Sequence, residues 1–169
     1  RFIDMFEQAM AEQKIDEVIK KLESMFNQQF EILEQLNQKQ PNLKNLSSSE
    51  RQIEEEYKNL QNVMSDAMQS SKKTSPKTST MFNDLMQSQL NQSTQKNIQE
   101  SRKALEEKNR KKSKEASKEA NNNLSDMLEK SKEIQENFQE ETVKEMINEF
   151  LGVVNSILNI SKYQDELSE

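Results

Sequence analysis

In stretch after stretch of this chain, the large apolar residues recur at alternating steps of three and four. That spacing returns side chains to one face of an α-helix. The densest run is Val143 to Ile160, where Val143, Ile147, Phe150, Val154 and Ile157 share a face. Met146, Leu151, Val153, Leu158 and Ile160 widen it to about half the helix circumference or more. A helix so apolar needs cover from other helices, so the run is expected to be the buried centre of the fold. A membrane span is disfavoured. The run is shorter than the roughly 20 residues a span requires, and Asn148, Glu149, Asn155 and Asn159 interrupt it.

The other stripes predict the remaining helices. Ile15, Val18, Leu22, Met25, Gln29, Ile32 and Leu36 form a seam in a first helix from Phe2 to about Lys39. Gln29 interrupts the seam and reads as a partly exposed position, with a polar residue that fixes register as the lesser reading. Pro41 stops this helix, because the residue before proline is pushed out of the α region. Ser47 to Ser49 offer caps for a second helix carrying Ile53, Tyr57, Leu60, Met64 and Ala67. Together these make an N-terminal helical hairpin, residues 1–71. The polar stretch 72–80, rich in Ser and Thr and containing Pro76, reads as a linker, with Ser75 able to cap a helix that has proline first.

Residues 81–169 form the C-terminal helical segment. Met81, Phe82, Leu85, Met86 and Leu90 begin it, and the apolar face then thins to Ile98 and Leu105 before Leu124. A hairpin turn is placed near residues 108–110, where Asn109 tolerates the left-handed conformation that ends helices. One long polar helix through 91–123 is the competing reading. Ala120, Leu124, Met127, Ser131, Ile134 and Phe138 continue the seam to about Gln139. Thr142 and Glu145 have capping-box spacing, which predicts a break before an apolar final helix, residues 142–166. The expected fold is all-α: about five helices in antiparallel hairpins, an elongated or coiled-coil-like bundle around Val143–Ile160.

Composition agrees. The hydrophobic fraction is 31% and the charged fraction 32%, lean for a sphere and sufficient for narrow helical seams. Few breakers, one Gly (Gly152) and two Pro (Pro41 and Pro76), mean few turns. The chain has no Cys and no His. Disulfides, thiolate chemistry, the usual zinc sites and the Glu-x-x-His di-iron motif are therefore out of reach. No Ser–His–Asp set exists, and one glycine cannot build a phosphate-cradling loop. Glu136 with Glu140, and Glu141 with Glu145, are spaced one turn apart but read as solvated faces. The chain is expected not to be an enzyme and to need no cofactor or metal. It starts at Arg1, which reads as a fragment of a longer or processed protein.

Charge is unevenly spread. Segment 102–118 carries eight basic and three acidic residues, whereas 129–169 is acidic. Arg102, Lys103, Arg110, Lys111, Lys112 and Lys114 make a candidate anion-binding set for lipid, cell-wall polymer or nucleic acid. Nucleic acid is disfavoured by the net charge of −6 and by the absence of interleaved aromatic residues. The nine Met residues lie mostly on apolar faces. They read as core filling, with an adaptable client-binding face, as in an export chaperone, as the lesser reading.

Ala104-Leu105, Lys108-Asn109, Ala116, Ala120, Ile160-Ser161, Gln164 and Glu166-Leu167 form a pattern over 97–167. It resembles an uncharacterised family of bacterial membrane-anchored envelope proteins with a long Gln/Glu/Lys-rich helical region. Lys108 stands where that family has Gly. The resemblance implies a location, the cell envelope on the periplasmic side. It implies a membrane anchor only through segments outside this chain, and no activity. The expected function is a non-enzymatic helical scaffold or protein-interaction module. It would work through a protein partner or self-association along Val143, Ile147, Phe150, Val154 and Ile157. An anionic-surface binder acting through 102–118 is the alternative.

Overall fold

A computed structural model describes residues 2–168, with side chains from Asp4 to Lys162. Gln164, Glu166 and Leu167 of the family-like pattern lie outside the described side chains. The fold is an all-α bundle of five helices: α1 (Phe2–Asn37), α2 (Leu43–Thr74), α3 (Pro76–Gln87), α4 (Gln89–Glu106) and α5 (Arg110–Ser168). The helices α3 and α4 run on from one another and form a single strut broken at Ser88. Four antiparallel struts result. α1 packs on α2 and α5, and α4 packs on the same two helices from the opposite side. This is the up-down-up-down bundle that short connections favour.

Each corner is built from side chains that satisfy helix ends. At the first, Arg110 donates to the carbonyls of Leu36 (2.9 and 2.6 Å) and Gln38 (2.5 Å), closing the C-terminus of α1 with a cation. Asn42, not the Ser47–Ser49 run, caps α2, its Oδ1 accepting from the Asn45 amide. At the second corner stretch 72–80 is no linker. α2 continues to Thr74, Ser75 alone makes the joint, and α3 starts at Pro76. The Ser75 amide donates to Ser71 O at 2.8 Å, while its hydroxyl accepts from the Thr78 amide. Proline at the first helical position costs no hydrogen bond. Ser75 and Thr78 are buried, as is Ser71 just before them, so one face of this polar stretch lines the core while Lys72, Lys73 and Lys77 stay exposed.

The third corner ends α4 with a left-handed residue, and that residue is Lys108 (φ 58°), not Asn109. Asn109 N–H reaches Ala104 O at 2.7 Å and Lys108 N–H reaches Leu105 O at 3.0 Å, the paired bonds of a Schellman ending. Asn109 instead caps α5 by accepting from the Lys112 amide. A left-handed non-glycine residue is strained by about 1–2 kcal/mol, partly offset by glycine's larger unfolded-state entropy. Lys108→Gly should therefore stabilise the chain by about 0.5–1 kcal/mol, read as a rise in denaturation midpoint with unchanged slope. A drop in the midpoint would contradict the turn.

Seams from all four struts fill the interior. Ile15, Leu22, Met25 and Leu36 of α1 meet Ile53, Leu60 and Met64 of α2, Phe82 of α3, Ile98 of α4, and Leu124, Met127 and Phe138 of α5. The break at Ser88 is tied in as well. The Tyr57 hydroxyl donates to Asn91 Oδ1, and Asn91 Nδ2 returns to Gln61 Oε1 (3.1 Å) and Met86 O (2.6 Å). The carbonyl freed by the break is thus satisfied, as a buried one must be.

The expected centre of the fold is not there. α5 runs without a break through Thr142, and beyond that residue it leaves the bundle. Ser75 at the α2–α3 joint bonds Glu141, so α2 and α3 meet at this level, and Lys73 bonds Glu7 of α1, whose first turns reach further, beside Met146. Val143, Ile147, Phe150 and Ile157 are exposed and Val154 is half-buried. The stripe stays apolar but changes face: five residues separate Phe138 from Val143, about 140° around the unbroken helix, so the seam turns away from the buried side.

Candidate interaction surface

Two apolar surfaces meet at the open end of the bundle. The first is the projecting part of α5. About 26 residues rising 1.5 Å each make an arm of about 39 Å. Its apolar half carries Val143, Met146, Ile147, Phe150, Leu151, Val153, Ile157, Leu158 and Ile160, all exposed, with Phe150 at 67%. The second is the start of α1, where Met5, Phe6 and Met10 are also exposed. α1 and α5 are antiparallel: Leu36 meets Arg110, Phe26 meets Asn121 and Asp16 meets Gln135. The same register brings Met5 level with Met146. Between them lies an open groove of about 1040 Å³ whose apolar floor includes Met5, Ala9, Phe138, Met146, Phe150 and Val153. Its rim is largely acidic, with Glu12, Glu145 and Glu149 present and Glu7 held by Lys73 at 2.7 Å. Monomeric proteins rarely expose apolar patches beyond about 300–600 Å². Nine exposed large side chains put this arm on the order of 1,000 Å².

The candidate anion-binding residues are not one cluster. Arg102 is taken up by Glu54 (2.7 Å) and Glu106 (2.8 Å), and its guanidinium is held above its ordinary value first by the Glu54 hydrogen bond. Glu106, bonded by Arg51 and then by Arg102, is correspondingly held below the usual carboxylate range. Arg110 is spent on the α1 terminus. Lys103, Lys111, Lys112 and Lys114 remain exposed around the α4–α5 turn. They sit at the far end of the bundle from the arm.

A third feature was missed in the sequence. Gln29 is fully buried rather than half-exposed, and it donates to Glu50 Oε1 at 2.7 Å and to Ser117. Ser101 and Ser117 also bond Glu50 Oε1, and Ser113 sits 3.3 Å from Ser101. α1, α2, α4 and α5 thus each give a polar group to one layer across the bundle. Glu50 Oε2 and Gln29 Oε1 are buried without partners. Burial pushes the Glu50 carboxyl above its ordinary value, and the bonds from Ser101, Gln29 and Ser117 only partly oppose this. The sequence signal was the polar residue on an a/d seam, a position that specifies register in helical bundles.

Among the described residues, no group of carboxylates is arranged to hold a metal ion, and no helix is long and apolar enough to cross a membrane. Compared with known proteins, the chain matches no family model, no curated protein and no solved structure.

Proposed function

We propose that this chain is a non-enzymatic helical scaffold that joins protein partners through the projecting arm of α5. One observation carries the proposal: the most apolar stripe of the chain lies outside the bundle, with Ile147, Phe150 and Ile157 exposed. Apolar surface in water is unfavourable by about 25 cal/mol per Å², so covering the arm drives association. The four-strut bundle supplies a rigid base that fixes where the arm points. A place in a bacterial cell envelope is supported by the resemblance over 97–167 alone. Anion binding by the basic turn is the weaker reading, because Arg102 and Arg110 already serve the fold.

A photocrosslinking amino acid placed at Phe150, in cells expressing the chain, is expected to give adducts with polypeptide. One at Lys111 is expected to give few. The reverse pattern, with Lys111 joined to nucleic acid, lipid or wall polymer and Phe150 silent, would overturn the proposal.

A further inference from the structure

We infer that the partner of the arm is a second copy of this chain, docked antiparallel about a twofold axis near Gly152, an inference that rests on the interaction surface proposed above. The spacing of the stripe sets the register. Val143, Ile147, Phe150, Val154 and Ile157 continue through Ser161 at steps of four and three. In an antiparallel pair such a seam matches itself: Phe150 meets Val154 of the other copy, Ile147 meets Ile157, and Val143 meets Ser161. Gly152 then lies at the centre of the overlap, on the outer face, with Leu151 and Val153 flanking the axis.

Antiparallel docking also covers what one chain leaves half-finished. The groove beside Met5 and Met146 serves only the near half of the arm. The far half, with Ile157, Leu158 and Ile160, is exposed and uncovered among the described residues. In this register the far half of each copy lies along the groove of the other. One docking event covers Met5, Met146 and Phe150 on one side and Ile157, Leu158 and Ile160 on the other, twice over by symmetry. Parallel docking would instead leave both far halves outside the grooves and force two bundles to share one end.

Area and charge agree with a copy as the occupant. Each arm offers on the order of 1,000 Å² of apolar surface, against about 800 Å² per partner in a specific interface. Phe150 to Ser161 contains no charged residue, so two copies overlap there without opposing like charges. A lipid surface fits less well, because interfacial helices carry a Lys- and Arg-rich polar face. Here that face is mostly uncharged, Asn148, Gly152, Asn155, Ser156 and Asn159, and its two lysines, Lys144 and Lys162, are balanced by Glu145 and Glu149.

The test uses the purified full chain, which has no Cys, so introduced cysteines report geometry without background. Light scattering over a micromolar concentration series should approach twice the chain mass of 19.8 kDa. The double variant Ile147→Glu with Ile157→Glu should stay monomeric with the bundle's melting unchanged. Under mild oxidation Phe150→Cys should crosslink to Val154→Cys in a mixture, because these facing seam positions come within disulfide reach. Ile147→Cys should crosslink to Ile157→Cys in a mixture and little to itself. A helical monomer across the whole series would overturn the inference, as would self-crosslinking of Ile147→Cys. So would sedimentation of the monomer with vesicles of zwitterionic or anionic phospholipid. A monomer that still gives Phe150 adducts to another polypeptide in cells sinks the second copy and leaves the interaction surface standing. A monomer silent at Phe150 sinks both.

Discussion

Glu50→Gln makes the protein more stable at neutral pH and removes the loss of stability that the Glu50 carboxyl imposes as pH rises. The Glu50 carboxyl is buried between four struts, and its Oε2 has no partner. Burial raises its folded-state value above the ordinary glutamate value of 4.5, against the opposing bonds from Ser101, Gln29 and Ser117. In the window between those two values the folded state holds a proton that the unfolded state has lost. The Glu50 contribution to stability is therefore fully present below about pH 4.5 and is lost as pH rises toward the folded value, at about 1.4 kcal/mol per pH unit. An amide has no charge to desolvate. Its oxygen can keep the bonds Oε1 now accepts, and its NH₂ supplies the donor that the unpaired Gln29 Oε1 lacks. Urea denaturation of both proteins from pH 4 to 8 reads the effect. Wild-type curves should shift to lower midpoints as pH rises relative to those of the variant. Parallel pH profiles, or a variant weaker at every pH, would mean the carboxylate is stabilising where it lies.

Two phenylalanines on one helix, twelve residues apart, should differ more than any other matched pair. Phe138→Ala is expected to cost about 3–5 kcal/mol, because the ring is 2% exposed and its removal leaves a cavity. Phe150→Ala should change the stability of the dilute monomer by no more than about 0.5 kcal/mol, because that ring already lies in water. Thermal or urea melts at low chain concentration separate the two. Equal losses would mean that the arm folds back on its own bundle. For the same reason Ile147→Glu should leave the bundle melting intact, although a charge at a core position would unfold it.

The helix faces were legible in the sequence because each seam carries its own periodicity. Ile15, Leu22 and Leu36 in α1, Ile53, Leu60 and Met64 in α2, and Leu124, Met127 and Phe138 in α5 are all buried as their spacing requires. Four things were not legible, each for a physical reason. Periodicity says which face of Val143–Ile160 is apolar, but not whether another helix reaches that level. That depends on where α2 and α3 meet, beside Glu141, and on α5 running on unbroken, which turns the Val143 face about 140° away from that of Phe138. The stretch 72–80 looks like a linker by composition. Yet a serine can sit in a helical interior by returning its hydroxyl to its own backbone, as Ser71 does to Ala67 O at 2.7 Å. α4 hides its buried face in the same way, since Thr94 bonds Leu90 O at 2.7 Å and counts as polar in any apolar tally. Gln29 was undervalued because its partners Glu50 and Ser117 come from two other struts, far away in sequence.

Native-state amide exchange along α5, followed in the full chain at low and at high concentration, tests the division of this helix most directly. In the dilute chain, amides from about Ser113 to Phe138 should be protected to the level of global unfolding. Those from Met146 to Ile160 should exchange orders of magnitude faster, through local opening of an uncovered helix. Raising the concentration should slow the second set and leave the first unchanged. Uniform, concentration-independent protection through Ile160 would contradict the account, because it would show that the apolar arm is covered within its own chain.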